Sequence, residues 1–245
     1  ILLGQNVNAY NDGENRLSNL IMEIEKITDI KRIRYTTSHP KDMTDDLINV
    51  YKTSQKLMPL VHLPVQSGSN KILKLMNRNH TIDEYLYIFE KLKKINSNIE
   101  FSSDFIIGYP GEQEEDFQKT ISLIQKINFI NSYSFIFSPR PGTVAADLNV
   151  IDKKISMQRL QKVQNKLHEN QMNRNNFFKN KIIKVLVENL TDDKSQTFGR
   201  SEYMTSVVFN GNKKHVGKIV PVKITKFNRT TLFGEIVEDL DKKVA

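Results

Sequence analysis

Residues 101–112 read FSSDFIIGYPGE, and this stretch decides the fold class. Residues 101–107 predict a β-strand with a carboxylate, Asp104, at its centre. The GYPG loop of residues 108–111 ends the strand, and the acidic residues 112–116 begin a helix. A strand that leads through a glycine-rich loop into a helix start is a common way for α/β folds to build a ligand site. An unpaired buried carboxylate costs several kcal/mol, so Asp104 needs donors nearby. The alternative is a satisfied aspartate followed by an ordinary turn.

Strand and helix patterns alternate over the first 151 residues. Strands are predicted at 1–3, 33–37, 60–65, 101–107 and 132–137, and helices at 16–27, 42–53, 70–76, 82–95 and 114–127. The strands lead into the polar loops GQNVN, SHP, QSGS, GYPGE and SPRPG. This alternation favours parallel strands with outer helices, an α/β fold in which ligands bind at the carboxyl ends of the strands. Each loop alone could be turn chemistry, but together they predict the rim of one site.

Composition narrows the class of protein. The 245 residues suffice for one large core, or for a medium domain with a small one. No apolar run approaches the ~20 residues of a membrane span and no signal peptide is recognisable, so a cytoplasmic chain without a membrane segment is expected. The absence of cysteine excludes disulfides and thiolate metal sites within the chain. Because the sequence begins inside an apolar run, we expect a chain that is cut within a strand.

The basic charge is confined to the last part of the chain. Residues 1–151 hold 17 Lys and Arg against 18 Asp and Glu, whereas residues 152–245 hold 19 against 10, a net charge of +9. A polar helix is predicted over 152–178, with an apolar seam of Met157, Leu160, Val163 and Leu167. Its other faces carry Arg159, Lys162, Lys166 and Arg174, which could extend a nucleic-acid surface. Five short strands over 181–237 then predict a small all-β barrel of OB-like kind.

Several motifs resemble one known family. The segments GQNVNAY, RYTTSHP, HLPVQSGSNKILKLMNR, SSDFIIGYPGE and SYSFIFSPRPGT are similar to those of MiaB-type radical S-adenosylmethionine methylthiotransferases, in the same order and at compatible spacing. The resemblance covers essentially the whole chain. It implies a partial βα barrel of the radical S-adenosylmethionine type over 1–151, with five of six strands present. A connecting helix over 152–178 and a TRAM-like RNA-binding β-barrel over 179–245 would follow.

The resemblance also implies which residues bind S-adenosylmethionine. They are Gln5, Asn6, Ser38, Gln66, Ser67, Gly68, Asp104, Gly108, Glu112 and Arg140. Gln5 and Asn6 would face the methionyl amino group, and residues 108–112 would support the adenine side through their backbone. Arg140, held between two prolines, suits bidentate pairing with a carboxylate. An internal salt bridge remains the alternative for Arg140, and loop architecture without ligand contact the alternative for the glycines.

In the TRAM-like segment, two aromatic and five basic residues are candidates for RNA contact. They are Phe198, Arg200, Tyr203, Lys213, Lys214, Lys226 and Arg229. The cations would contact phosphates, and the two rings could stack on bases. His39, His62 and His80 lie on separate loops without metal-ligand spacing, so hydrogen bonding is favoured over metal binding for each.

The resemblance implies methylthiolation of tRNA at adenine C2 of N6-isopentenyladenosine beside the anticodon. It also implies S-adenosylmethionine and [4Fe–4S] clusters as cofactors and tRNA as partner, and we expect a monomer. Because the cluster cysteines are absent, this chain by itself is expected to be inactive. Three alternatives remain open: a methylthiotransferase acting on threonylcarbamoyl adenosine, one acting on a ribosomal protein, or a non-catalytic RNA-binding fragment.

Overall fold

A computed structural model describes residues 1–192 and 194–237. The chain divides into two compact units, Ile1–Leu167 and His168–Ala245. The helices are α1 (Leu17–Glu25), α2 (Asp45–Thr53), α3 (Asn70–Leu75), α4 (Ile82–Ile95), α5 (Glu114–Ile127) and α6 (Lys153–Phe178). The strands of the first unit are β1 (Leu60–His62), β2 (Glu100–Ser102), β3 (Asp104–Ile107) and β4 (Tyr133–Ile136). The last residues of the predicted RNA-binding segment, 238–245, lie outside the described residues.

The named strands of the first unit pair in parallel and in chain order, while an isolated bridge between Asn11 and Arg16 is antiparallel. β1 pairs with β2 and β3 pairs with β4. Shorter parallel bridges join Leu2 to Tyr35, Ile33 to Leu57 and Gln66 to Phe105. The segments predicted as strands at 1–3 and 33–37 therefore take part only through isolated bridges and do not form continuous strands. The predicted α/β class with parallel strands and intervening helices is confirmed.

The strand predicted over 101–107 is interrupted at Ser103. Its hydroxyl accepts a hydrogen bond from the Val65 amide at 2.9 Å, and its own amide donates to the Ser132 hydroxyl at 3.0 Å. These side-chain bonds replace regular ladder bonds between strands at this position. As a result, β2 ends and β3 begins on either side of a fully buried serine.

Aromatic side chains fill the core of the first unit. Phe105 and Phe129 have no exposed surface and meet edge to face, with ring centroids 5.3 Å apart. Tyr85 on α4 is also fully buried, and its hydroxyl donates to the Leu63 carbonyl at 2.7 Å. A buried tyrosine hydroxyl needs such a partner, because an unpaired one loses its bonds to water. These contacts hold α4 and the segment that follows α5 against the strands that carry the polar loops.

The long helix α6 buries a different face from the one predicted. The Asp152 side chain accepts bonds from the amides of Lys154 and Ile155, which starts the helix. Val163 and Leu167 are buried as expected, but Met157 is 55% exposed. The predicted seam is wrong at that position. Ser156 and Arg159 are the buried residues of its first turns.

The second unit contains a closed five-stranded barrel. Its strands are β5 (Ile182–Leu190), β6 (Thr197–Arg200), β7 (Ser206–Asn210), β8 (Ile219–Phe227) and β9 (Thr231–Ile236). They close in the order β5-β6-β7-β9-β8, with β7 and β9 parallel and the other pairs antiparallel. Side chains such as Val207, Phe209 and Leu232 fill the interior. This confirms the predicted small OB-like barrel.

In the described residues, no helix combines the length and the apolar character needed to cross a lipid bilayer.

Candidate functional site

The first two polar loops of the first unit are joined by a two-way hydrogen bond. Asn8 donates from Nδ2 to the His39 carbonyl and accepts from the His39 amide through Oδ1, both at 2.8 Å. The Val7 amide donates to the Thr37 carbonyl at 2.8 Å. These bonds fix residues 4–8 against residues 37–39. They bring the predicted residues Gln5 and Asn6, both exposed, to the loop that carries Ser38.

Asn6 and Ser38 differ in how their polar groups are satisfied. Asn6 donates from Nδ2 to the Asp42 carboxylate at 2.6 Å, so its amide orientation is fixed. Ser38 is 8% exposed, and its hydroxyl has no hydrogen-bond partner within the described residues. A buried hydroxyl without a partner is rare, because it loses its bonds to water without replacement. Ser38 therefore has the character expected of a group that a ligand would complete.

The third loop packs tightly against α5. Gln66 bridges to β3, where its amide donates to the Asp104 carbonyl at 3.0 Å, and its φ of 70° lies in the left-handed region. A Cβ on Gly68 would lie 2.5 Å from the Lys119 carbonyl oxygen. The glycine thus permits close contact with the α5 backbone. Ser67, only 1% exposed, is equally enclosed, so neither residue presents an open face.

Asp104 has two basic neighbours. His62 Nε2 lies 3.6 Å from an Asp104 carboxylate oxygen, and His62 Nδ1 lies 2.9 Å from the Ser102 hydroxyl. Burial lowers the pKa of Arg78, and the charge of Asp104 opposes that shift. Arg78 supplies positive charge near this carboxylate, and the His62 ring adds charge only when it is protonated. Its side chain is 30% exposed, so one side remains accessible.

The GYPGE loop is held from within the first unit by α6. Gly108 and Gly111 have φ values of 72° and 86°, which favour glycine. Glu112 is 3% exposed and accepts from the Gly108 amide at 3.2 Å and from Arg159 Nη1 at 2.8 Å. Arg159 also bonds the Glu112 carbonyl at 3.2 Å and the Glu114 carboxylate at 3.1 Å. Glu112 therefore supports the shape of the loop, and its carboxylate is turned away from solvent.

Arg159 differs from the surface role predicted for it. The suggestion that its charge extends a nucleic-acid surface is wrong, because its guanidinium is buried against Glu112. Burial raises the pKa of Glu112 above its ordinary value. The hydrogen bond from the Gly108 amide and the charge of Arg159 counteract part of this increase. No motif distinguishes Arg159 in the sequence from the other basic residues of α6.

Arg140 lies in the SPRPG loop that follows β4. It is exposed, and its carbonyl accepts from the Thr143 hydroxyl at 2.8 Å, which shapes the loop. Within the described residues, its guanidinium has no salt-bridge partner. The internal salt bridge considered as an alternative is therefore not present there.

The three histidines of this unit contact polar and aromatic groups. His39 Nδ1 accepts from the Lys41 amide at 3.1 Å, and the His39 and His80 rings meet edge to face at 5.5 Å. Burial, with smaller contributions from His39 and Arg78, lowers the pKa of His80 to about 4. In the described parts of the chain, no three His, Asp or Glu side chains form a group able to hold a metal ion.

The types of side chain present suit one of the two implied cofactors and not the other. Iron–sulfur clusters are held mainly by cysteine thiolates, which this sequence does not contain. The residues present therefore do not fit a cluster. S-adenosylmethionine carries amino, carboxylate and nucleoside groups, and the unsatisfied Ser38 hydroxyl and the accessible Asp104, Gln5 and Asn6 fit that chemistry.

The second unit presents most of its predicted RNA contacts on the surface. Lys213, Lys214, Lys226 and Arg229 are exposed. The Arg200 guanidinium lies over the Phe198 ring at 5.0 Å, and Arg229 contacts His168 at 3.3 Å. Tyr203 differs, because its ring is 4% exposed and packs against Phe178 and the Arg174 guanidinium. A ring enclosed in this way offers no face to a base, so Tyr203 supports the barrel in this structure.

The first unit has parallel strand–helix units with polar loops, and the second is a small basic β-barrel. This architecture places the chain in the class of two-part proteins that join an α/β unit to an OB-like barrel. The chain belongs to the radical SAM superfamily, whose family model matches residues 1–124. The model of the TRAM domain matches residues 177–237.

The chain is also similar to bacterial proteins named tRNA-2-methylthio-N(6)-dimethylallyladenosine synthase. It is 64% identical to that of Pelagibacter ubique over all of this chain and 56% of the relative. It is 45% identical to that of Orientia tsutsugamushi strain Ikeda and 48% identical to that of Vesicomyosocius okutanii, each over 98% of this chain and 55% of the relative. The chain thus spans about half the length of the curated relatives it matches.

One solved structure is similar in fold. Coproporphyrinogen III oxidase (HemN) of Escherichia coli, described as a radical SAM enzyme, superimposes with a TM-score of 0.50 at 11% identity. The match covers 86% of this chain and 51% of that one. At this identity the likeness supports the fold alone.

Proposed function

We propose that this chain is the part of a tRNA methylthiotransferase that binds S-adenosylmethionine and RNA. The reaction would place a methylthio group on adenine C2 of N6-isopentenyladenosine beside the anticodon. The observation that carries this proposal is the 64% identity, over the whole chain, to a relative named for that modification. The order of a radical SAM match followed by a TRAM match supports it.

The chemistry of the substrate favours a radical mechanism. Adenine C2 carries an unactivated C–H bond that acid–base groups do not break at neutral pH. In the complete protein, S-adenosylmethionine would supply the radical chemistry, and the residues of this chain would supply position and shielding. The [4Fe–4S] clusters of the family would be held by cysteines that this sequence lacks, so we propose that the chain as given does not catalyse the reaction.

Residues of the first unit would hold and orient S-adenosylmethionine. Ser38 has an unsatisfied buried hydroxyl, and Gln5 and Asn6 lie on the adjoining loop. Asp104 offers an accessible carboxylate to the amino group, while the exposed Arg140 suits the carboxylate of the cofactor. Gln66, Ser67, Gly68, Gly108 and Glu112 would act mainly by giving the surrounding loops their shape.

The domain boundaries remain part of the proposal. We assign residues 1–151 to a partial βα barrel with five of six strands, 152–178 to a connecting helix and 179–245 to the RNA-binding barrel. The parallel pairings of the first unit support the first assignment. We further propose a monomer that acts in the cytoplasm.

The catalytic proposal is tested by restoring the upstream coding sequence. A CxxxCxxC motif should precede Ile1 by about one strand and helix, and its absence would contradict the proposal. The complete reconstituted protein should methylthiolate isopentenylated tRNA. Modification of threonylcarbamoyl adenosine or of a ribosomal protein would instead identify one of the alternative methylthiotransferases.

Cofactor binding is tested in the complete protein by isothermal titration with S-adenosylmethionine. Asp104→Asn and Arg140→Gln should each weaken binding about tenfold, the scale of one lost charged hydrogen bond. The exposed Arg16 provides the control variant Arg16→Gln, which should retain normal affinity. Unchanged affinity in a test variant would remove that residue from the site.

RNA binding is tested with the 245-residue chain by a salt titration of tRNA affinity. Replacing Lys213 and Lys214 together by Gln should reduce the slope of log K against log salt by about 1 to 2, because each phosphate contact contributes about 0.9 or less. Lys26→Gln and Lys126→Gln, made together in the first unit, form the charge-matched control. An equal loss of slope in the control would mean that the binding is non-specific charge attraction.

A further inference from the structure

A row of aromatic and basic side chains crosses the outer surface of the barrel. Phe198 on β6 pairs with Val208 on β7, Val208 pairs with Phe233 on β9, and Phe233 pairs with Lys226 on β8. Directly paired residues lie on the same face of a sheet. Val207 and Phe209, on either side of Val208 in the chain, are buried in the barrel interior. The row Phe198–Val208–Phe233–Lys226 therefore faces outward, and we call it the outer row.

A cation lies against each phenylalanine of the outer row. The Arg200 guanidinium is 5.0 Å from the Phe198 ring centroid, and the Lys226 ammonium is 5.4 Å from the Phe233 centroid. Arg200 is held in place by bonds at 3.1 Å to the Met204 carbonyl and the Ser206 hydroxyl. The two rings are partly exposed, each has its cation over the ring, and Arg200 Nε lies 3.7 Å from the Glu188 carboxylate.

The geometry and charge of this face fit a polyanion with flat groups. Two strand spacings of about 4.8 Å separate Phe198 from Phe233, which places the rings about 10 Å apart. That span suits bases of an extended single strand. Residues 177–237 contain 11 Lys and Arg against 5 Asp and Glu, a net charge of +6 that complements phosphates.

We propose that the outer row is a stacking platform for unpaired bases of RNA, with Arg200 and Lys226 placed to neutralise the adjoining phosphates. This inference rests on the proposed RNA role of the second unit. It adds Phe233 as a contact residue and specifies an unpaired strand as the bound form. A duplex hides its base faces, so only flipped or single-stranded nucleotides can stack on the rings.

The protein contains no tryptophan, which permits a direct test in the full chain. Phe233→Trp keeps a flat aromatic ring and introduces a single fluorophore into the outer row. Titration with a single-stranded oligoribonucleotide should change its fluorescence through stacking. An abasic oligonucleotide of the same length, or an RNA duplex, should produce little change at equal phosphate concentration. Equal responses to all three probes would overturn the platform.

Leucine substitutions test the energetic role of the rings. Phe198→Leu and Phe233→Leu should each weaken binding of the single strand about tenfold, within the range measured for base–aromatic stacking. Phe177, 52% exposed and outside the outer row, provides the control Phe177→Leu, which should bind normally. Thermal unfolding of each variant checks that the barrel is intact.

The comparison of intact and abasic strands can be made with the unaltered chain, so a folding defect of a variant cannot affect the result. If the unaltered chain binds intact and abasic strands equally, the platform is wrong while the proposed RNA role stands. If it binds no RNA at all, both the platform and the proposed RNA role fail.

Discussion

Arg159 Nη1 lies 2.8 Å from Glu112 Oε1, and the two side chains are only 9% and 1% exposed. A buried ion pair of this kind gives little net stability by itself, but the loss of one partner leaves an uncompensated charge. Because Glu112 also accepts from the Gly108 amide, the pair links α6 to the shape of the GYPGE loop.

Arg159→Met should lower the free energy of unfolding of the first unit by about 3 to 5 kcal/mol, because Glu112 would remain buried without its partner. The Glu112→Gln, Arg159→Met double variant should recover part of this loss. Urea unfolding of the three proteins measures both values. Lys126→Met serves as the control, since its ion pair with Glu90 is exposed and should contribute less than about 1 kcal/mol.

Asp116 should stabilise the fold at neutral pH and lose that effect in acid. Burial tends to raise its pKa, but bonds from Lys71, Ser69 and the Gln113 amide outweigh burial and lower the pKa to about 2. Since the folded pKa lies below the ordinary value of 3.8, the stability is present above about pH 4 and is lost as the pH falls toward 2. The contribution is about 2 kcal/mol.

Urea unfolding between about pH 5 and about pH 2, the interval over which this stability is expected to fall, measures the effect. Asp116→Asn should be less stable than the parent protein at the upper end of the interval. It should also lose less stability than the parent protein as the pH falls to the lower end. The exposed Asp29 provides the control variant Asp29→Asn, which should follow the parent curve. An Asp116→Asn curve parallel to the parent would contradict the prediction.

His80 should remain neutral well below the pH at which an exposed histidine becomes charged. Burial is the main cause that lowers its pKa to about 4 from 6.5. The unfolded chain therefore binds more protons between these values, and His80 should destabilise the fold as the pH falls from about 6.5 to 4. NMR titration of the ring protons checks this, with His80→Gln used to assign the signal. A midpoint near 6.5 would show that the ring is accessible to water.

Gly68→Ala should destabilise the first unit by about 1 to 3 kcal/mol, the usual cost of overpacking. The new Cβ would lie 2.5 Å from the Lys119 carbonyl oxygen, which belongs to the α5 backbone and cannot move independently. Gly4→Ala is the matched control, because its Cβ would meet the Val7 side chain at an ordinary 3.4 Å. Thermal unfolding compares the two variants, and equal melting temperatures would show that α5 shifts at low cost.

The parts of the fold that local pattern determines could be predicted from the sequence. Five short strands close together over 181–237 predicted a barrel, and the glycine and proline residues after the strands of the first unit predicted the loops. The interruption at Ser103 could not be predicted, because it depends on Val65 and Ser132, which are distant in the chain.

Side-chain roles were harder to predict where burial depends on tertiary contact. Arg159 and Met157 have the periodicity of any polar helix, yet Arg159 is buried and Met157 is exposed. Ser156 explains part of this difference. A Cβ on Gly108 would lie 2.5 Å from the Ser156 hydroxyl, so the two small residues allow the GYPGE loop to lie close to α6. Tyr203 was predicted to stack on bases because it lies in a basic segment, but Arg174 and Phe178 cover its ring.

The order of strand pairing has a consequence for synthesis on the ribosome. In the first unit, each described parallel pairing joins a segment to one that has already been made. Strands there can dock one after another as they emerge. The barrel differs, because β9, the last of its described strands in the chain, pairs with both β7 and β8. At ~5 to 20 residues per second, the edge of β7 stays open for about one to five seconds until β9 has been made, and an unpaired strand edge favours misassembly during that time.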